Sequence, residues 1–245
     1  MRLRLAATFT AFALTFAAHA AVAAAAPPST VQNAICRPVY QADGKTFSAG
    51  TAFALDLTQP APRTLLVTAV HVFGPAGGLD KDIPAAELAR RVSLAGCQAL
   101  GLDEIWYAGR ALTVPGAHAM DDVPHRDVAA FPLDTAKAPI HPVRLKLAAA
   151  APKVGDSVWL LAQVPEGAPP SQLLHHAVVR SSTDQALQYA FDNVGLNLQG
   201  TSGAPVVNAA GDVVGTNLGG GTLPGKLIGV GNSLASLRAL LNAAK

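Results

Sequence analysis

Charged and aromatic residues are scarce in this sequence of 245 residues, at 14% and 5% of the positions. Hydrophobic residues make up 50%, so charge repulsion cannot hold the chain open and intrinsic disorder is not expected. The net charge is only +2, and loss of Arg2 and Arg4 in a cleaved leader would bring it to zero. Without an excess of basic residues, nucleic acid is not an expected partner.

Long hydrophobic runs are absent except at the N-terminus. There, Met1–Arg4 is positively charged, Leu5–Ala18 is apolar, and Ala18-His19-Ala20 has the small residues of a cleavage site. This order predicts a signal peptide over residues 1–26, and therefore a periplasmic or secreted protein with no stable membrane association after its removal. The alternative is an uncleaved anchor, since a spanning helix needs about 20 residues. Alanine is weakly hydrophobic and no positive stop follows, which favours the signal peptide.

Only two cysteines are present, Cys36 and Cys97. In an exported chain they predict one disulfide, worth about 4 kcal/mol on the loop-entropy model, and two buried free thiols are the alternative. No zinc-type Cys-x-x-Cys motif is visible. One loop, with Gly116 and Pro124, holds residue types that ligate metals: His118, Asp121, Asp122 and His125. Solvated polar residues are ordinary in such a loop, so no metal is expected there.

Glycine and proline are abundant, with 22 and 18 residues, and they separate short apolar runs. Such spacing favours a barrel or sandwich of short strands. The expected strands are 47–57, 64–72, 105–114, 127–133, 157–164, 175–182, 187–192, 204–208, 213–218 and 226–230, with a short helix over 85–91. Residues 136–152 read as a linker, which predicts a boundary near residue 145 between domains 27–145 and 146–231. A terminal helix over 232–245 is expected, because Asn232 can cap it and leucines recur at three- and four-residue steps.

Three polar residues stand where a nucleophilic hydroxyl, its base and the partner of that base could occur. Ser202 is flanked by Gly200 and Gly203, so the turn could point the amides of Gly200 and Ser202 at a developing oxyanion. His71 follows an apolar run and could take the serine proton, while Asp127 leads into another apolar run and could orient the histidine. Taken singly, each is also compatible with a structural role, as a tight turn, a strand-end histidine or a cap.

Together, the three segments resemble the trypsin-like serine peptidases, and within them the short bacterial branch that includes HtrA-type enzymes. Thr68-Ala69-Val70-His71 is similar to the family's TAxH, Asp127-Val128-Ala129 to its D-[IVL]-A, and Gly200-Thr201-Ser202-Gly203 to its G-[ND]-S-G. The order along the chain, His then Asp then Ser, is also that of the family. Further similarity lies in Gly50-Thr51-Ala52-Phe53 and in residues 206–217, so the resemblance spans roughly residues 34–232.

The resemblance implies an all-β fold of two antiparallel six-stranded β-barrels with a C-terminal helix and a cleft between the barrels. In that cleft Ser202 would be the nucleophile, His71 its base and Asp127 the residue that orients the base. The amides of Gly200 and Ser202 would form the oxyanion hole. The resemblance also implies a protein or peptide substrate and no metal or organic cofactor. No PDZ-like domain is expected after the helix.

Departures from the family pattern indicate how this chain differs. Thr201 replaces the acidic residue with which many members capture a new amino terminus, so activation by that route is not expected. Val72 stands where many animal members have a disulfide cysteine, and Ala204 replaces a common second glycine. By position, four residues would form the primary substrate pocket: Leu196, Asn197, Leu218 and Gly219. None is acidic, so we expect a preference for an apolar or small residue rather than Lys or Arg.

Alternatives stand beside this interpretation. Asp121 or Asp122 could be the acid of the triad if the register around Asp127 is different. His175 and His176 are expected to point to opposite faces of a strand, without a catalytic role. A barrel pair of this type could also bind peptides or envelope partners with little turnover, and an unrelated exported β-domain is a third alternative. The leading hypothesis is an exported serine endopeptidase.

Overall fold

The polypeptide is built mainly from β-strands. The structure is a computed structural model that describes residues 25–29, 31, 34–101, 103–120, 125–133 and 142–245. Residues 1–24 of the predicted signal peptide, and Asp121 and Asp122, lie outside the described residues. The strands and helices of the described part are β1 Ile35–Ala42, β2 Lys45–Phe47, β3 Ala52–Leu57, β4 Arg63–Thr68, α1 Ala85–Arg91, β5 Val92–Ala99, β6 Ile105–Ala108, β7 Ala129–Pro132, β8 Leu145–Lys146, β9 Ser157–Leu161, β10 Leu174–Ser182, β11 Leu187–Phe191, β12 Pro205–Val207, β13 Val213–Leu223, β14 Lys226–Ser233 and α2 Leu234–Ala243.

The N-terminal half forms one sheet in the order β6-β5-β1-β3-β4-β7, in which neighbouring strands are antiparallel. β2 pairs with β1 as a hairpin, and the short β8 runs parallel to β3. The two edge strands curl towards each other: Ala108 and Leu133 form an isolated bridge, and the Gly109 amide donates to Pro132 O at 2.7 Å. The curled sheet encloses the buried aromatic side chains of Tyr40, Phe73, Trp106 and Phe131.

The C-terminal half is a closed barrel of antiparallel strands in the order β10-β11-β14-β13-β12-β9. Along β9, Val158 and Leu160 belong to the core inside the barrel, whereas Trp159 and Leu161 belong to a second cluster outside it. This alternation is the two-residue period of a strand with both faces buried. The predicted all-β fold with a terminal helix is therefore confirmed. The first sheet differs from the predicted six-stranded barrel, because it has eight strands and its described edges meet at one bridge.

The second cluster, which includes Trp159 and Leu161, joins the two halves. Phe53 and Val67 from the outer face of the first sheet meet Trp159 from the barrel and three of the four leucines of α2, and all are almost fully buried. The fourth, Leu234, belongs to the barrel core. The leucines of α2 lie on one face because they recur at three- and four-residue steps. Since this cluster fixes the halves against each other, the loops at their junction are held in place as well.

The cap of the C-terminal helix differs from the prediction. Ser233 is the cap of α2, and its Oγ accepts a hydrogen bond from the Ser236 amide at 3.1 Å. Asn232 instead belongs to β14 and is fully buried. Its side chain cannot cap the helix because it is hydrogen-bonded to the backbone of Asp127.

Several strands differ in length from the prediction, while the short helix α1 is found as expected. The run 47–57 is divided at Gly50, which has φ +69°, and the run 64–72 ends at Thr68 because a 3₁₀ turn follows it. The apolar pattern does not predict β1 or β5. β13 extends to Leu223, since glycines there pair through their backbone without leaving a side-chain pattern. None of the described helices is long and apolar enough to cross a membrane.

Candidate active site

Asp127 and His71 form a hydrogen-bonded pair at the junction of the two halves. The Asp127 side chain is fully buried, and its Oδ2 lies 2.6 Å from His71 Nδ1. In the described part of the chain the carboxylate also accepts hydrogen bonds from three backbone amides: those of Val70, of His71 at 3.1 Å and of Met120 at 2.7 Å. These donors offset the loss of hydration that burial imposes on a carboxylate. Because an ionised carboxylate only accepts, we assign the proton to Nδ1, which leaves Nε2 as a base.

The histidine is positioned by the 3₁₀ turn that follows β4. Thr68 ends β4, and its Oγ1 donates to Thr51 O at 2.9 Å. The turn His71–Phe73 then begins, with Val72 and Phe73 buried in the core of the first sheet. The His71 side chain keeps 16% of its surface exposed, so the imidazole is fixed in position but not sealed from solvent.

Asn232 holds the backbone of Asp127 from the side opposite to the histidine turn. Its Oδ1 accepts the Asp127 amide at 3.1 Å, and its Nδ2 donates to Asp127 O at 2.9 Å. The second hydrogen of Nδ2 goes to Thr216 Oγ1 at 2.7 Å. Sequence reasoning missed this residue. The signal was a polar amide among apolar strand residues, because a buried amide needs hydrogen-bond partners.

The loop that carries Ser202 presses against the end of β4. Ser202 O accepts the Thr51 amide at 2.8 Å. Gly203 has φ +83°, and a Cβ there would lie 2.5 Å from Thr68 Oγ1 and 2.8 Å from the Ala69 amide. Only glycine fits this approach. No hydrogen bond joins Ser202 Oγ to His71, both of which the structure describes; catalytic hydrogen bonds are often long before substrate binds.

A neutral hydrogen-bond network fixes the residue before the serine. Thr201 is fully buried, and its Oγ1 donates to Leu198 O at 2.6 Å. Asn217 Nδ2 donates to the same hydroxyl at 2.8 Å, and Asn217 Oδ1 accepts the Tyr189 hydroxyl at 2.6 Å. Burial raises the pKa of Tyr189, so the phenol remains a protonated donor. Thr201 thus has uncharged hydrogen-bond partners at the position where the resemblance would place an acidic residue.

Gly200 and Ser202 have backbone amides available for an oxyanion. In the described part of the chain neither amide donates to a protein acceptor, whereas Gly200 O accepts the Thr51 hydroxyl at 2.9 Å. Gly200 has φ +79°, and a Cβ on it would meet open space. Glycine is therefore favoured at 200 by conformation rather than by crowding.

The residues predicted to form the primary pocket lie on two segments near the serine loop. Leu196 is buried in the barrel core and Leu218 in the core of the first sheet. Asn197 Oδ1 accepts the Gln199 amide at 2.9 Å, which shapes the turn before Gly200. Gly219 belongs to β13 and pairs with Val230. Their role in substrate choice stays a prediction.

The other polar residues considered as candidates from the sequence make contacts with the backbone or are buried. His118 Nδ1 lies 2.9 Å from Ala119 O, and His125 is buried with its amide bonded to Gln185 O. Among the described residues no group of three His, Cys, Asp or Glu could hold a metal ion. The structure brings Asp127 to His71, and the alternative acids, Asp121 and Asp122, lie outside its described part.

A second Ser-His-Asp arrangement lies on the outside of the barrel. His175 points inward and is buried, and His176 points outward. His176 Nδ1 lies 2.6 Å from Asp192 Oδ2, and its Nε2 lies 3.0 Å from Ser157 Oγ. The Asp192 side chain is 67% exposed, in contrast to the fully buried Asp127. Because water solvates the Asp192 carboxylate, this arrangement is not expected to activate Ser157. Ser157 is therefore a matched control for Ser202.

Cys36 and Cys97 are joined in a disulfide that links β1 to β5, with their Cα atoms 5.4 Å apart. Both residues are buried in the core of the first sheet. The link closes a loop between residues 61 positions apart, and a loop of this length corresponds to about 4 kcal/mol of stabilisation on the chain-entropy model.

Comparison with known proteins identifies the family and the fold of the chain. A sequence profile of the trypsin-like peptidase domain matches residues 50–215. A search of curated protein sequences gives no significant match. Among solved structures, the active form of the Rv3671c protease from M. tuberculosis is 18% identical, with 94% of this chain and 93% of that chain covered and a TM-score of 0.53.

Two further structures show the same fold. The thermostable serine protease AL20 from an extremophilic microorganism is 14% identical, covers 86% of this chain and 96% of its own, and has a TM-score of 0.55. Kallikrein-related peptidase 10 is 12% identical, with 88% and 96% covered and a TM-score of 0.55. The profile spans more than half of the sequence, and with it the chain belongs to the trypsin-like peptidase family.

Proposed function

We propose that this serine protease is an exported endopeptidase in which Ser202, His71 and Asp127 act as a catalytic triad. The observation that carries the proposal is the buried hydrogen bond between Asp127 and His71 beside the serine loop. It fixes the tautomer in which Nε2 can accept a proton, and a serine hydroxyl needs such a base to become a nucleophile.

The reaction then follows from the positions of these groups. His71 Nε2 takes the hydroxyl proton as Ser202 Oγ attacks the peptide carbonyl, and Asp127 stabilises the imidazolium that forms. The amides of Gly200 and Ser202 donate to the tetrahedral oxyanion, each worth about 3 to 4 kcal/mol. His71 passes the proton to the leaving amine, which breaks the peptide bond and leaves an acyl group on Ser202. Water, activated by the same histidine, hydrolyses that ester.

For the acyl side of the substrate we propose an apolar or small residue before the scissile bond. The support is the character of Leu196, Asn197, Leu218 and Gly219, none of which carries a charge. A cationic side chain buried without a carboxylate would lose hydration with no compensation. Export to the periplasm or the medium is supported by the N-terminal sequence and by the disulfide, which persists in oxidising compartments.

Labelling with a fluorophosphonate tests the nucleophile. We expect stoichiometric labelling of the wild type, loss of the label in Ser202→Ala and a strong decrease in His71→Ala, measured by intact mass and peptide mapping. Ser157→Ala is the matched control, because Ser157 also hydrogen-bonds a histidine that contacts an aspartate. This variant should label like the wild type. Label retained in Ser202→Ala would reject the assignment. A folded wild type that stays unlabelled would favour the alternative of a peptide-binding protein with little turnover.

A further inference from the structure

A groove of about 630 Å³ runs away from the serine loop between the two halves of the molecule. Its walls come from β1, from the loop before β3, from the turn after His71 and from the segment after β9. Residues along it include Cys36, Arg37, Ser48, Gly77, Gln163 and Gly200. The disulfide holds Cys36 in place, and the Thr51 hydroxyl donates a hydrogen bond to Gly200 O, so both of these lining residues are fixed.

The groove lies on one side of Gly200, and the predicted primary pocket does not share its lining. Leu196, Asn197, Leu218 and Gly219 are not among the residues that line the groove, whereas Gly50, Thr51 and Gly200, which surround the Ser202 backbone, are. A peptide that places its acyl-side residue in the predicted pocket must leave the serine in another direction. The groove offers that direction to the residues after the scissile bond, an inference that rests on the proposed function.

Arg37 gives the groove its charge. Of the described residues that line it, only Arg37 is charged. Its Nη2 donates to Gln163 Oε1 at 3.2 Å, and no described carboxylate lies within ion-pair distance of it. A guanidinium presents several N–H groups in a planar fork that matches a carboxylate, and one contact to a neutral amide leaves donors free. Asp103 lines the adjoining cavity of about 250 Å³, further from Gly200, together with Arg37.

We infer that the groove binds the leaving-group segment of the substrate and that Arg37 selects a carboxylate within it. The carboxylate is either an Asp or Glu side chain shortly after the scissile bond or the free end of a short leaving peptide. The Arg37 side chain is exposed, so the gain is that of a surface ion pair, about three- to fivefold in kcat/KM at low salt.

Matched peptides that differ only after the scissile bond test this inference. One set carries Glu, Gln or Lys at each of the first leaving-group positions in turn, and a second set ends in a free or an amidated carboxyl terminus. We expect the wild type to prefer Glu over Gln and Gln over Lys at one position, or the free terminus over the amide. The first result identifies a side chain as the source of the carboxylate, and the second identifies a chain end.

Variants assign the preference to Arg37. Arg37→Gln should abolish it and Arg37→Glu should reverse it, whereas Arg180→Glu, which changes an exposed arginine of β10, should leave it unchanged. The wild-type preference should also shrink at high salt, because exposed charges are screened. Equal Glu-to-Lys ratios in the wild type and both Arg37 variants would overturn the inference.

A substrate with a small chromogenic leaving group separates this inference from the proposed function. Such a substrate places no peptide in the groove, so its hydrolysis by the wild type reports on the proposed triad alone. If the wild type hydrolyses neither the chromogenic substrate nor any peptide and takes no phosphonate label, the proposed function fails. If turnover is normal but has no charge preference, only the inference about Arg37 fails.

Discussion

Asn232 holds the backbone of Asp127 through both its carbonyl and its amide group, although 105 residues separate the two in sequence. Asp127 in turn fixes the tautomer of His71. Asn232 is thus a positioning residue that acts through Asp127 without touching substrate. The three residues of the proposed triad can be selected from the sequence because each stands next to an apolar run or a glycine pair. Asn232 cannot, since its partner, Asp127, becomes a neighbour only when the end of β14 meets the segment before β7 in the folded chain.

Replacing Asn232 tests this positioning role. Asn232→Ala leaves the Asp127 amide and carbonyl without a buried partner, so we expect the free energy of unfolding to fall by about 2 to 3 kcal/mol. We also expect kcat to fall about tenfold with little change in KM, since the substrate does not contact this residue. Steady-state kinetics and urea unfolding measure both. Asn208→Ala, which removes a turn contact to the amides of Ala210 and Asp212, is the control and should leave kcat unchanged. An unaltered kcat in Asn232→Ala would reduce its role to stability.

His175 makes the stability of the fold depend on pH. Burial lowers the pKa of His175 below its ordinary value of 6.5, and its Nε2 lies 3.1 Å from Ala162 O. The unfolded chain therefore binds a proton near pH 6.5 that the folded chain does not, and stability decreases as the pH falls below about 6.5 towards the folded pKa. His175→Gln should flatten this part of the curve of unfolding free energy against pH. Parallel curves for wild type and variant would contradict the account.

At the scale of elements, the loop 200–203 depends on a close approach to β4. Gly203→Ala would place a methyl group 2.5 Å from Thr68 Oγ1 at a positive φ, while Gly155→Ala adds a methyl at φ +92° with nothing within 4 Å. The Gly155 variant should cost only the conformational term, about 1 to 2 kcal/mol. We expect Gly203→Ala to lose more stability than that and to abolish labelling of Ser202. Equal losses in chemical denaturation would show that the approach to β4 is not restrictive.

Strand ends and glycine-rich strands limit what can be predicted for these elements. The run 64–72 is mostly apolar on both sides of Thr68, so hydrophobicity cannot show where the strand ends. The turn at His71 is held by hydrogen bonds to Asp127, a residue distant in sequence. Residues 219–221 of β13 are all glycine and carry no alternating pattern. Their strand conformation comes from pairing with β14, which is a tertiary effect.

At the scale of the whole molecule, the proposed active site lies where the curled first sheet and the closed barrel meet along a shared apolar cluster. His71 and Asp127 belong to the first half and Ser202 to the second, and the Thr51 contacts to Gly200 and Ser202 cross the junction. The division into two β-structured halves is implied by the family resemblance, whereas composition alone indicates only many short strands. The groove with Arg37 also forms at this junction, so neither half alone defines it.

In the proposed mechanism, Ser202, His71 and the two amides converge on one reacting carbon. A crystal structure of the enzyme inactivated by a phosphonate tests it most directly. We expect phosphorus bonded to Ser202 Oγ, His71 Nε2 within hydrogen-bonding distance of that oxygen, and the phosphonyl oxygen about 2.7 to 3.1 Å from the amides of Gly200 and Ser202. Phosphorus on another serine, or a His71 ring that points away from the adduct, would contradict the account.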